Sequence, residues 1–381
     1  MRRFRGQLRE PDAAHLLDLL AALVRVAHPE SLKRNPPRML DLMAESSEVA
    51  FVPALFGYSN YGRPGFRSNL IRFGPVPLGS ADHAQGGILG GAGIAVSRHS
   101  RHPQAAATYA AFVVEADVQC GVYFTSGGAE SNESAFKTVR FFWRSQGKPD
   151  KIKIISRQWA YHGVSIAAMS ATGLPAYHKM FAPMAPGHVH IPAPYYYRAD
   201  TTANWEEYGV EAANELEKAI LREGPETVAA FIAEPVQGAG GVIPPPPTYF
   251  PRIREICDQY DVLFIADEVL CGYGRTGQDF AIKGYGVEPD ILTAGKAISS
   301  GYAPLSATIV SEKVVDAFAK SASGDFTHGS THSGNALSCF VGLQVHNYMR
   351  AHGLFQRPAQ IGAYLHERLA EASGASRTEQ P

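Results

Sequence analysis

The sequence of 381 residues has little cysteine, almost no net charge and no long apolar run. Its four cysteines, Cys120, Cys257, Cys271 and Cys339, are scattered without a CxxC spacing. That argues against a disulfide framework or a zinc site and for plain thiols in a reducing compartment. Acidic and basic residues nearly cancel, 36 against 35. No field of one sign is available to hold nucleic acid or an anionic membrane, so neither is an expected partner. No stretch reaches the roughly 18 uncharged apolar residues that a membrane-spanning helix needs. The first residues carry arginine with no apolar run directly behind them. The next stretch, residues 15–28 (HLLDLLAALVRVAH), has apolar spacing near that of an amphipathic helix and reads as core-facing rather than as a signal peptide. The expected location is cytoplasmic.

What is present is a globular composition, 45% hydrophobic and 19% charged, with 37 glycines and 26 prolines suggesting many tight connections. Lysine is unevenly used. Residues 1–120 hold 12 arginines and 1 lysine, and residues 121–381 hold 12 arginines and 10 lysines, which suggests two stretches of different ancestry.

From about Val122 seven short β-rich runs follow one another: Gly121–Thr125, Ile152–Ser156, His188–Ile191, Val228–Ala233, Val262–Ala266, Ile291–Ala294 and Ala307–Ser311. Helical patterns lie between most of them, among them Glu130–Ser145, Val210–Arg222 and Pro251–Tyr260, with another at Arg357–Ala370. The alternation predicts an α/β fold with a mostly parallel, seven-stranded sheet flanked by helices. Near-continuous apolar runs such as VLFIA fit strands covered on both faces. Ligands of such sheets bind beyond the carboxyl ends of the strands.

The residues just after the runs are therefore the ones to read for chemistry. After GVYFT, Ser126-Gly127-Gly128-Ala129-Glu130 opens a helix, a turn that can cradle phosphate or be only a turn. After IKIIS comes Trp159-Ala160-Tyr161-His162-Gly163, whose aromatics could stack on a flat ring or fill the core. Glu234 follows VAAFIA and needs a partner, either in a structural ion pair or in a site. Asp267 follows VLFIA, where a shielded carboxylate can keep a heterocyclic nitrogen protonated. Lys296 follows ILTA between small residues; desolvated there, it can lose its proton and form a Schiff base. Alone, each has a bland reading. Together, a carboxylate and a lysine ending adjacent strands, with a phosphate cradle and an aromatic on the same edge, point to pyridoxal 5'-phosphate.

These stretches resemble the class III (omega) aminotransferases, fold-type-I pyridoxal-phosphate enzymes. The matching segments are FTSGGAESNESAFKTVR, WAYHG, AEPVQGAGGVIPPP, FIADEVLCGYGRTG, DILTAGKAISSGYAPLSATIV and HGSTHSGNALS, in the family's order. DEVLCGYGRTG is most similar to the branch acting on amines or omega-amino acids with pyruvate or a similar acceptor. The resemblance implies that Gly128 and Ala129 bind the cofactor phosphate and that Tyr161 stacks on its ring, with His162 and Gly163 shaping that wall. It further implies that Glu234 orders the site, Asp267 pairs the ring nitrogen, Val269 packs the opposite face and Lys296 forms the Schiff base. Thr331 matches a phosphate ligand donated across a homodimer with shared active sites. The implied catalytic set is Lys296, Asp267 and Tyr161, with no metal. The implied substrates are a small amine or amino acid and a keto acid.

The resemblance runs over residues 122–372. The expected domains are an atypical N-terminal segment at 1–120, a cofactor-binding large domain at 121–335, and the start of a shortened C-terminal small domain at 336–381. Residues 1–120 lack the family's pocket-lining segment and loosely resemble part of an extracellular solute-binding protein. A ligand-binding module, an inactive fusion product that keeps only the cofactor domain, and an aminomutase or decarboxylase on the same scaffold are the competing readings.

Overall fold

Each of the seven apolar runs is a strand in the computed structural model, which describes residues 121–319 and 326–373. The readings of residues 1–120, including the helix over 15–28 and the solute-binding likeness, lie outside the described residues. In chain order the elements are β1 (Gly121–Thr125), α1 (Gly128–Ser145), β2 (Lys153–Arg157), α2 (Ile166–Ala171), α3 (Pro175–Phe181), β3 (His188–Ile191), α4 (Trp205–Glu223), β4 (Val228–Ala233) and α5 (Tyr249–Gln259). There follow β5 (Leu263–Glu268), β6 (Ile291–Ala294), β7 (Ser306–Val310), α6 (Glu312–Ala319), α7 (Ala336–Ala351) and α8 (Arg357–Ser373).

The strands form one sheet in the order β1-β7-β6-β5-β4-β2-β3. β7 pairs antiparallel with both β1 and β6, and every other pairing is parallel. Alternation along β5 sends Leu263 and Ile265 into the core under α1, and Phe264 and Ala266 into the core under α4 and α5. α1 buries Ala135, Phe136, Val139, Phe142 and Trp143, a helical stripe that crosses β7, β6 and β5. On the other face Phe264 stacks with Phe231 and Phe250 at centroid distances of 6.1 and 5.8 Å. All three rings are fully buried, each contributing about 1.5–3 kcal/mol of transfer free energy.

Several boundaries shift by a few residues from the sequence reading, two of them for identifiable reasons. α4 begins at Trp205, five residues before the apolar periodicity, because Asn204 and Glu207 form a capping box. Asn204 Oδ1 accepts from the main chain of Glu206 and Glu207 at 3.0 Å each, and Glu207 accepts from Asn204 N at 3.1 Å. β5 runs on through Glu268, so Asp267 lies inside the strand's last turn of the pleat rather than after it. None of the described helices is long and apolar enough to cross a membrane.

Candidate active site

The site is built on the carboxyl edge of the parallel strands. Continuing the β5 alternation, Asp267 faces α1, and its register partner on β6 is Thr293. Asp267 is buried, and three donors converge on it. His162 Nδ1 lies 2.7 Å from Oδ2, Asn132 Nδ2 donates to Oδ2 at 2.8 Å, and the Val269 main chain donates to Oδ1 at 3.1 Å. Burial by itself would push this carboxyl up. The hydrogen bonds from His162, Asn132 and Val269 outweigh it and hold the carboxyl below the usual carboxylate value. Asp267 is therefore an ionised carboxylate in a water-excluded position.

Gly128 and Ala129 form the first turn of α1, with no capping side chain at Gly127. A Cβ on Gly128 would stand 2.6 Å from Val269 Cγ1, so only glycine lets the turn close on β5's end. Gly163, at φ +124°, lies against Ala129 in the same way, which ties the loop after β2 to the start of α1. Glu130 completes the turn by accepting from Ser126 N at 2.9 Å and Ser126 Oγ at 2.7 Å.

His162 is buried; its main chain donates to Thr172 Oγ1 at 2.9 Å, and its Nε2 has no hydrogen-bond partner among the described residues. Tyr161 is half-buried, 6.0 Å from Tyr177 ring to ring. Burial, with Tyr177 and Asp267 nearby, raises its phenol above the ordinary value. Trp159, two residues earlier, is exposed in the left-handed region at φ +64°.

Glu234 is buried, and its partners are main-chain N–H groups rather than the cation of an ion pair. Oε1 accepts from Tyr161 N at 2.9 Å and Oε2 from Gly238 N at 3.1 Å. It thus staples the loop after β2 to the loop after β4. Burial pushes its carboxyl above the usual range. Its own carbonyl accepts from the buried guanidinium of Arg157.

Lys296 departs from expectation. It directly follows the β6 end, next to the strand of Asp267, but its side chain is exposed rather than desolvated. The cause is local: Gly295 packs against Val269, while Lys296 opens a 3-10 turn at φ +45°, which turns it out of the sheet edge. Left-handed positions without glycine are strained and concentrate at functional loops. Thr331 lies on an exposed turn. That turn is held by Tyr123, whose hydroxyl bonds Ser333 Oγ at 2.6 Å and accepts from Ser330 N at 3.2 Å. His328 joins it to α1 through Ser134 Oγ at 2.7 Å.

The structure thus brings together Gly128, Ala129, Tyr161, His162, Glu234, Asp267 and Val269, places Lys296 at the next strand end, and puts Thr331 on an exposed turn. Sequence reasoning missed Asn132 and Thr293. Asn132 lies inside the FTSGGAESNESAFKTVR segment, one turn along the buried face from Gly128, and that spacing was the available signal.

The family model described as aminotransferase class-III matches residues 95–379. The putrescine–pyruvate aminotransferase of Pseudomonas aeruginosa is 43% identical over 251 residues, covering 66% of this chain and 55% of that protein. The chloroplastic gamma aminobutyrate transaminase 3 of Solanum lycopersicum is 43% identical over 250 residues, 65% and 48% of the two chains. Among solved structures, an (S)-enantioselective omega-transaminase from Thermomicrobium roseum is 46% identical with a TM-score of 0.64, covering 67% of this chain and 56% of that one. The omega transaminase of Pseudomonas jessenii, solved in complex with PMP, is 40% identical with a TM-score of 0.65, over 70% and 60% of the two chains. The chain spans about half the length of the curated relatives it matches. With the mostly parallel sheet, the strand-end carboxylate and the lysine on the neighbouring strand, these likenesses give one conclusion: the chain belongs to the class III aminotransferases.

Proposed function

We propose that this chain carries the cofactor-binding part of a transaminase that moves an amino group from an amine or amino acid to a keto acid or aldehyde such as pyruvate. The cofactor of the family is pyridoxal phosphate, and the residues present fit it. The first turn of α1 offers uncapped N–H groups beside a Gly128 that tolerates no side chain. Asp267 is kept ionised by its donors yet buried, which suits a protonated pyridine nitrogen. That ionised carboxylate, one strand from Lys296, is the observation that carries the reading.

When bound, the cofactor supplies an electron sink for charge developing on the substrate carbon. Asp267 holds the proton at the ring nitrogen. Tyr161 would hold one face of the ring and Val269 the other. Glu234 fixes the two loops that carry Tyr161 and Gly238. Lys296 Nζ would carry the proton from the amine-bearing carbon to the cofactor carbon that keeps the amino group, as general base and then acid. Thr331, on its exposed turn, reaches the phosphate subsite of a second copy, so the working form is a homodimer. The domain division at residues 121–335 and 336–381 follows the same reading. The free thiols of Cys257, Cys271 and Cys339 suit a cytoplasmic setting.

A second reading is favoured by the exposure of Lys296: the chain binds cofactor without turning over. The two are separated by loading the full chain with pyridoxal phosphate and assaying putrescine, gamma-aminobutyrate and diaminobutyrate against pyruvate and 2-oxoglutarate. Turnover supports the transaminase. A stoichiometric cofactor band without turnover supports the second reading. No cofactor uptake overturns both.

A further inference from the structure

We infer that Asn132 and Thr293 form a positioning relay that sets the geometry of Asp267 and, through it, of the cofactor's ring-nitrogen subsite. The inference rests on the cofactor reading above for its consequence, but on hydrogen bonds alone for its existence.

Asn132 Nδ2 has two protons, and both are used. One goes to Asp267 Oδ2 at 2.8 Å and the other to the carbonyl of His162 at 2.7 Å. An amide side chain can turn over, exchanging its oxygen and nitrogen. Turned over, Asn132 Oδ1 would face two acceptors, the carboxylate and the carbonyl. Those two acceptors fix the orientation, and Thr293 satisfies the oxygen it leaves: its hydroxyl donates to Asn132 Oδ1 at 2.9 Å. Asn132 and Thr293 are buried, at 1% and 0% exposure, so water does not substitute for either partner. An unmet acceptor in such a place bears the full cost of its desolvation.

The placement follows from the fold. Thr293 and Asp267 are register partners on adjacent parallel strands, so the pleat puts both side chains on the face under α1. Asn132 is four residues beyond Gly128 on α1, roughly 6 Å along the helix axis. One helical turn therefore spans from the phosphate cradle to the ring-nitrogen carboxylate. The same amide grips the His162 carbonyl, while the His162 ring grips Asp267 at 2.7 Å. The strand end, the helix and the loop after β2 are locked as one unit. Neither Asn132 nor Thr293 touches the reacting atoms; both act through Asp267.

The test uses the full chain with ¹⁵N-labelled histidine as wild type, Thr293→Val and Thr293→Ser. Cofactor-free protein is examined by NMR for the far-downfield His162 Nδ1 proton that a hydrogen bond to an ionised carboxylate produces. Pyridoxal-phosphate affinity is then measured by titration. The proton is expected in wild type and Thr293→Ser and lost or displaced in Thr293→Val. Affinity is expected to fall about tenfold or more in Thr293→Val and to hold within about twofold in Thr293→Ser. A Thr293→Val protein that keeps both overturns the relay, as does a wild type without the proton. If Thr293→Val does not fold, Thr293→Ala and Asn132→Ser carry the same contrast against Thr293→Ser. A wild type that shows the proton but takes up no cofactor overturns the proposed function and leaves the relay supported.

Discussion

Asp267 and Glu268 are successive residues of one strand, both buried, and their carboxyls shift in opposite directions. Asp267 faces α1 and collects three donors, which hold it below the usual carboxylate value. Glu268 faces the other side, where Oε1 accepts from Ile282 N at 2.7 Å and Oε2 has no partner among the described residues. Burial pushes Glu268 up to about 8. A strand's two-residue alternation thus separates a charged site carboxylate from a neutral structural one.

The Glu268 shift predicts a pH-dependent stability. Its folded pKa, about 8, is above its unfolded value near 4.5. Between these the folded chain keeps a proton that the unfolded chain has lost. The contribution is fully present below about pH 4.5 and is lost as pH rises through 8. Chemical denaturation of wild type and Glu268→Gln at pH 5 and pH 8.5 should show the wild-type advantage shrinking, on the order of 4 kcal/mol. A difference that stays constant across that window would refute the assignment.

Lys296→Ala is expected to abolish covalent capture of the cofactor aldehyde. Borohydride reduction of cofactor-soaked protein, followed by peptide mapping, should place the label on Lys296. A label on any other lysine sinks the role. Because the side chain is exposed in the chain alone, free aldehydes should also reach it, and soaking with pyridoxal as well as its phosphate tests that access.

The strands were legible because covered parallel strands are near-continuous apolar runs, and VLFIA or VAAFIA have few other readings. The places of Asp267 and Lys296 at strand ends were legible because the apolar runs they follow are strands. Asn132 was not. A polar residue on an amphipathic helix reads as solvent-facing until the face carrying Asp267 is known. Thr293 was hidden for the same reason, inside ILTA, where a β-branched residue already suits a strand. The exposure of Lys296 was illegible because it depends on a left-handed backbone turn that a lysine does not advertise.

Asp267→Asn should hurt turnover more than cofactor retention. The amide oxygen still accepts a hydrogen bond from His162 or Val269, so the fold of the site survives. It no longer carries the charge that keeps a ring nitrogen protonated. The rate should fall by more than tenfold, about 1.4 kcal/mol in barrier, with a smaller change in affinity. A rate loss below that, in protein shown to be loaded, argues against the role.

Thr331 gives the sharpest test of the shared site. Its turn is fixed to the chain's own body through Tyr123 and His328, and Thr331 itself is exposed. If it serves the neighbour, Lys296→Ala and Thr331→Ala must complement each other in one dimer. The Lys296→Ala chain lends its intact Thr331 to the Thr331→Ala chain, whose Lys296 is intact, and two-fold symmetry makes that single site whole. Each variant alone has no whole site. The two chains, given different tags, co-expressed and purified through both, should hold cofactor tightly in one site per dimer, while each parent binds weakly or without a covalent link. A mixed dimer no better than the Thr331→Ala parent would place Thr331 outside the phosphate subsite.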